Sequence, residues 1–436
     1  MPLFTNSRET PVPKFLSLAS PNKQRNGMVS LAKMNMFRAF RSRNFRLFFI
    51  GQSISRIGMW MQRTAVIWLI YSYTHSSFML GVAVFAEQFP SFVCSLWGGV
   101  IADRYPRYRI MIYTQLFSLL QAVLLAAYVL AGYQSVWVIL GLSVMLGVIN
   151  AFDLPARQPL IHYMVDQPED FPNALALNST LANLARLIGP ALAGILLETL
   201  GGGSCFLINA ISYIAILWAL FRMNIQEGEP VRGQKNALSE AVEGFNYIRQ
   251  TPTIGGILLL LVVVSFFVLS FRTLLPVFAK DIFNGDATTF GYMNSFSGLG
   301  AVIGALYITA LKRSVNLKFL LWINCLILGI AIILFAWTRE FYLSMFLLMA
   351  GGFAALSETT ISNIMVQTLS ARKMLGRVMS YWAMALMGVM PLGSLFIGAL
   401  AHRIGAPLTL TFEGIIAFIL VIAFFPFLVR SEKARS

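Results

Sequence analysis

The chain has 436 residues, 57% hydrophobic and only 12% charged, with 33 Lys and Arg against 18 Asp and Glu for a formal net charge of +15. A soluble chain carries roughly a quarter charged residues, so this composition excludes a string of soluble domains. Apolar runs of about twenty residues recur along the chain, each long enough to cross a hydrocarbon core of about 30 Å as a helix, which gives an all-α polytopic membrane protein.

Residues 1–46 are polar and basic, with Pro11, Pro13 and Pro21. They lack the short apolar core and cleavage site of a signal peptide. The stretch MNMFRAFRSRNFR at 34–46 interleaves aromatics with arginines, which suits an amphipathic segment on the inner membrane surface. Twelve spans follow, at 47–72, 77–101, 110–131, 135–153, 174–198, 203–221, 254–279, 288–311, 318–337, 341–365, 377–401 and 408–429. The long connection at 222–253 starts as a Gly- and Pro-containing linker. It continues as a short surface helix from Ser239 to about Arg249, with Glu240 and Glu243 in its first turn.

With both termini cytoplasmic, 26 of the 33 Lys and Arg fall on the cytoplasmic side. The outer loops hold Lys280, Arg339 and Arg403, and four lie within spans. This is the positive-inside asymmetry of a cytoplasmic-membrane protein. The basic balance therefore records topology and does not call for a nucleic-acid partner. Cys94, Cys205 and Cys325 sit within or at the edge of spans, an odd number that speaks against a disulfide framework or a metal site. His75, His162 and His402 have no metal-ligand spacing, and no phosphate-cradling Gly-rich loop is present. Neither an enzyme nor a cofactor is expected, and a monomer in the lipid bilayer suffices.

The linker divides the spans six and six, and the halves repeat. Gly189 and Gly194 of the fifth span are matched 204 residues later by Gly393 and Gly398 of the eleventh, and the same shift brings Asn173 onto Arg377. Gly99 is followed 205 residues later by Gly304. Pseudo-symmetric halves related by an axis along the membrane normal are a transporter plan, with the substrate site near mid-membrane between them.

Between spans two and three the chain reads GGVIADRYPRYR. Gly99, Ala102, Asp103, Arg104 and Arg107 match the signature G-x-L-A-D-R-x-G-R-K, while Pro106 and Tyr108 replace its second Gly and a basic residue. On these residues the chain resembles the major facilitator superfamily. The stretches NFRLFFIGQSISRIGMWMQR at 44–63, NAFDLPARQPLIHYMV at 150–165, NALALNST at 173–180, RLIGPALAG at 186–194 and FRTLLPVFAKDIF at 271–283 resemble its enterobactin-exporter-like branch. The resemblance implies alternating access and export of a small organic molecule, such as a siderophore, drug or secondary metabolite, against proton entry. A lysophospholipid flippase and a non-transporting sensor or assembly factor on the same scaffold are the alternatives.

Topology alone does not require Asp103. A carboxylate at the membrane edge suits a helix N-terminus, whose free N–H groups and dipole favour an anion. The repeat names the start of span eleven, near Gly376 and Arg377, as the contact that would latch the halves when the cytoplasmic side is shut. Arg107, Asp153 and Arg157 complete this candidate gate. Gly189, Pro190 and Gly194 resemble the Gly-Pro motif of proton-driven antiporters, and close helix packing explains them equally well.

Charges within spans cost at least about 2.5 kcal/mol each unless paired or wet. Arg56, Glu87 and Arg186 fall near the midplane, Arg272 in the outer half of span seven and Glu358 in the inner half of span ten. Arg56 with Glu87 is the expected pair, with Glu87 as the protonatable group and Arg56 and Arg186 modulating it or meeting an anionic cargo. A fixed structural salt bridge is the competing reading. Glu358 would serve the second half as Asp153 serves the first. Among the tryptophans, Trp60, Trp68, Trp322 and Trp382 could line a site for an aromatic cargo, Trp382 foremost.

Overall fold

A computed structural model describes residues 37–225, 227, 237–311 and 315–433. The expectations for residues 1–36, much of the linker and the final tail lie outside the described residues. Among the described residues the chain is helical throughout, without strands.

In the first half the helices are α1 (Arg43–Thr74), α2 (Ser77–Arg104), α3 (Arg107–Leu130), α4 (Val136–Leu160), α5 (Phe171–Leu200) and α6 (Gly202–Arg222). The linker contributes α7 (Ala237–Gln250), which starts two residues before the expected Ser239. The second half has α8 (Pro252–Ile282), α9 (Ala287–Thr309), α10 (Leu317–Trp337), α11 (Phe341–Leu369), α12 (Leu375–Ile404) and α13, which runs from Ala406. Ten of these helices are long and apolar enough to cross a membrane. The first, α1, carries Arg43, Arg46, Arg56 and Arg63, and α9 is rich in Gly, Ser and Asn, so both are less apolar than their neighbours.

Three helices start where the sequence supplies an N-terminal acceptor. Ser76 accepts from Met79 N, Asp286 forms a reciprocal capping box with Thr289, and Asn316 accepts from Lys318 N and Phe319 N. Of the stretch 34–46, residues 37–46 pack against the first half. Its turn Arg38–Arg41 docks on the start of α5, with Arg38 paired to Asp170 at 2.5 Å and Ala39 N donating to Asn173. Phe45 and Phe48 are buried in the first half.

The same pairings recur in both halves. The helix pairs α2–α4 and α9–α11 pack together, as do α1–α5 and α8–α12. Between the halves, α5 packs on α9 and α2 on α12. The repeated glycines make these approaches possible. A Cβ on Gly189 would lie 2.5 Å from Trp60 Cβ on α1, and one on its counterpart Gly393 would run into Phe266 O on α8. Gly194 likewise meets Ala287 O of α9, and Gly398 meets Ser77 O of α2. The Gly99–Gly304 correspondence is off by one residue. Gly98, not Gly99, faces α4 at Ala151, whereas nothing lies within 4 Å of Gly99.

Two second-half helices are irregular. In α8 wide π-helical turns at Val264–Val268 and Phe278–Ile282 flank a tight 3-10 stretch at Leu269–Leu274. Pro276 has no N–H to return to the Arg272 carbonyl, and Ser270 Oγ donates to Phe266 O at 3.1 Å. Helix α12 breaks at Gly388, three residues before Pro391.

Candidate functional site

Three arginines and one glutamate converge where the halves meet. Arg63 Nε of α1 pairs with Glu87 of α2 at 3.2 Å, with the two side chains 31% and 17% exposed. The guanidiniums of Arg63 and Arg186 both sit 5.3 Å from the centre of the Trp60 ring, a geometry that a cation takes on an aromatic face. Arg272, on the tight turn of α8, lies within electrostatic reach of both Arg186 and Arg63. One side of this cluster is thus built by α1, α2 and α5 and the other by α8.

The expected Arg56–Glu87 pair is replaced by Arg63–Glu87. Residues 63 and 87 are equally distant from His75, at the turn joining α1 to α2, so an antiparallel hairpin brings them to the same level. Arg56 is two helical turns farther from that turn, about 10 Å along the axis. It donates instead to Asn178 Oδ1 at 3.3 Å. Gln52, with its amide oxygen turned toward them, accepts from Arg56 Nε at 3.1 Å and Arg157 Nη1 at 3.2 Å.

That second group lies toward the linker side. Asp153 is buried and pairs with Arg157 at 3.1 Å, and it accepts from Thr114 Oγ1 at 3.0 Å and Gln115 Nε2 at 2.9 Å. Glu358 does not mirror it. Both oxygens of Glu358 are buried without a hydrogen-bond partner among the described residues. Trp382 donates to Ser362 Oγ at 3.2 Å within the second half, away from the arginine cluster.

At the linker side Asp103 does not meet the start of α12, and nothing lies within 4 Å of a Cβ built on Gly376 there. Asp103 is 65% exposed, and among the described residues it pairs within its own turn, with Arg107 Nη2 at 3.4 Å. Arg104 is exposed, and Arg107 does not join Asp153. The end of α12 expected to receive Asp103 is held by the linker. Arg377 pairs with Glu243 at 2.6 Å and Glu240 at 3.6 Å, and Tyr381 Oη donates to Ala241 O at 2.9 Å. Glu227 takes the N-terminus of α3 by accepting from Arg107 N and Tyr108 N. This cap was missed, because the linker's carboxylates give no sequence signal for which helix end they meet.

At the opposite side the halves touch closely. Tyr71 Oη of α1 donates to Asp281 of α8, Lys280 Nζ lies 5.9 Å above the Trp68 ring, and Trp68 stacks on Phe290 at 5.8 Å. Ser295 Oγ of α9 donates to Leu187 O of α5 at 2.8 Å. Pro190 O and Gly194 lie along this contact and admit Gly291 and Ala287 of α9, whereas Gly189 admits α1 within the first half. The cluster therefore lies about two helical turns inward of the contact at Tyr71.

A family model described as transmembrane secretion effector matches residues 34–436. The staphyloferrin A transporter of Staphylococcus aureus is 24% identical over 393 residues, covering 89% of this chain and 97% of that protein. The enterobactin exporter EntS of Escherichia coli O1:K1 is 28% identical over 353 residues, covering 78% and 80%. Among solved structures, a POT family transporter in complex with 5-aminolevulinic acid superposes with a TM-score of 0.69 at 12% identity, over 89% of this chain and 97% of that one. An inward-facing, unoccupied bacterial homologue of the lysosomal transporter Spinster gives 0.65 at 14% identity, over 89% and 97%.

Proposed function

Because the chain belongs to the transmembrane secretion effector family of major facilitator transporters, we propose that it exports a small organic molecule of the siderophore or secondary-metabolite kind by alternating access, coupled to protons. All twelve long helices span the membrane on this reading, α1 and α9 with their polar faces turned inward. The protein lies in the cytoplasmic membrane of a bacterium as a monomer, with both termini and the linker on the cytoplasmic side. The observation that supports the reading is the arrangement of the halves, which touch at the Tyr71–Asp281 end while Asp103 at the other end is exposed and does not meet α12, with the Arg63–Glu87 pair between. With the basic face inside, this is the inward-open member of the cycle. Asp103 would meet the start of α12 in the other member.

Glu87 is the proposed proton-carrying group. Its side chain is 17% exposed and among the described residues it pairs with one cation, Arg63, so its charge can change without unfolding a network. Moving one charge through 100 mV is worth about 2.3 kcal/mol, enough for a roughly 50-fold gradient of cargo. The direct experiment deletes the protein and compares retained and secreted metabolites. Retention of a small organic compound that wild-type cells secrete is expected. Identical pools in the two strains would overturn the exporter reading.

A further inference from the structure

Resting on the reading that the chain carries a small organic solute between its halves, we propose that Arg63, Arg186 and Arg272, with the Trp60 ring, form the cargo subsite, and that the cargo is an organic anion presenting at least two negatively charged oxygens. The charge balance points there first. Two guanidiniums, Arg63 and Arg186, meet at the Trp60 ring with Arg272 of the other half within electrostatic reach, and Glu87 is the one carboxylate paired with any of them among the described residues. The charges that act on Arg272 from nearby are those of Arg186 and Arg63, all of one sign. Like charges in a medium poorer than water repel strongly, and an anion placed among them removes that repulsion.

The donors are also available. Arg186 Nε is buried and makes no hydrogen bond. Beyond its stacking on Trp60, Arg186 has no counter-charge among the described residues, and Arg63 gives Glu87 a single contact. Guanidiniums are planar forks that match the paired oxygens of a carboxylate. Trp60 supplies an aromatic face beside them. Arg63 and Arg186 belong to the first half and Arg272 to the second, so a bound anion with two charged groups bridges the halves. Glu87 competes with it for Arg63.

Carboxylates and catecholates share this oxygen chemistry, and two probes separate them: citrate, and 4-nitrocatechol. Binding to the full-length protein in nanodiscs is followed by tryptophan emission and, independently, by thermal stabilisation. Saturable binding of at least one probe is expected, with no binding of the neutral trimethyl ester of citrate. Arg186→Gln and Arg272→Gln should each weaken binding about tenfold or more, and Arg186→Lys should restore part of it. Glu87→Gln should tighten it, an opposite sign that a merely structural role would not produce. Failure of both probes to bind, equal binding of the ester, or unchanged affinity in both arginine variants would overturn the proposal. Should the deletion strain retain a metabolite while neither probe binds, the anion subsite fails and the exporter reading stands. Should the probes bind while the metabolite pools stay identical, the subsite stands and the exporter reading fails.

Discussion

Gly194→Val tests whether the closed side is a contact of one conformational state. A Cβ on Gly194 would lie 2.7 Å from Ala287 O, 3.0 Å from Thr288 Cα and 3.2 Å from Gly291 Cα. All three are backbone atoms of α9, so no rotamer change can make room. Overpacking of this kind costs about 1–3 kcal/mol. Here that cost falls on an interface between the halves, which separates when the opposite side opens. The state with the Tyr71 end closed therefore loses about 1–3 kcal/mol relative to its alternative, which is roughly a 5- to 150-fold change in their ratio. The assay is a distance distribution between spin labels at Thr199, ending α5, and Tyr342, starting α11, both exposed, in a background where Cys94, Cys205 and Cys325 are replaced. A longer-distance population should grow. Gly189→Val is the control, since Gly189 packs on Trp60 and Ile57 inside the first half. It should lower thermal stability without moving the halves apart. An unchanged distribution in Gly194→Val, or the same change in both variants, would refute the argument.

Four further outcomes follow from named contacts. Glu87→Gln should abolish proton movement coupled to transport in proteoliposomes loaded with a pH-sensitive dye, while the protein still purifies as a folded monomer. Tyr71→Phe removes the hydrogen bond to Asp281 and should raise the ratio of the same long-distance population by about fivefold, for a bond contributing about 1 kcal/mol. Glu227→Gln weakens the cap on α3, so amide exchange at residues 107–109 should speed up by about fivefold for a loss of about 1 kcal/mol. Joint Glu240→Gln and Glu243→Gln release Arg377. Disulfide formation between Asp103→Cys and Gly376→Cys should then increase, and no change would mean that the linker does not hold the gate apart.

Much of the site was legible residue by residue, and less of it pair by pair. Glu87, Arg186 and Arg272 stand out in the sequence because a charge inside an apolar run needs a reason, and all three reach the cluster. Arg63 was legible only from its distance to the α1–α2 turn, since a charge eleven residues from the end of α1 looks no different from Arg56 until the hairpin is folded. Trp382 and Glu358 are equally conspicuous in sequence, yet their helices turn them into the second half. Asp153 and Glu358 occupy similar places in the repeat and still differ, because Arg157, Thr114 and Gln115 have no matching partners around Glu358.

Hydropathy by itself determined the all-helical membrane fold, the division at the linker and the place of the Asp103 motif. Lipid offers no hydrogen bonds, so each apolar run must satisfy its own backbone as a helix, and that requirement is local in the chain. Tertiary structure alone decided that Glu87 meets Arg63, that Gly98 rather than Gly99 packs on α4, that Glu227 caps α3, and which end of the halves is closed. Those outcomes depend on how far each helix is rotated and slid against its neighbours, which is set by backbone approaches at glycines from distant parts of the chain.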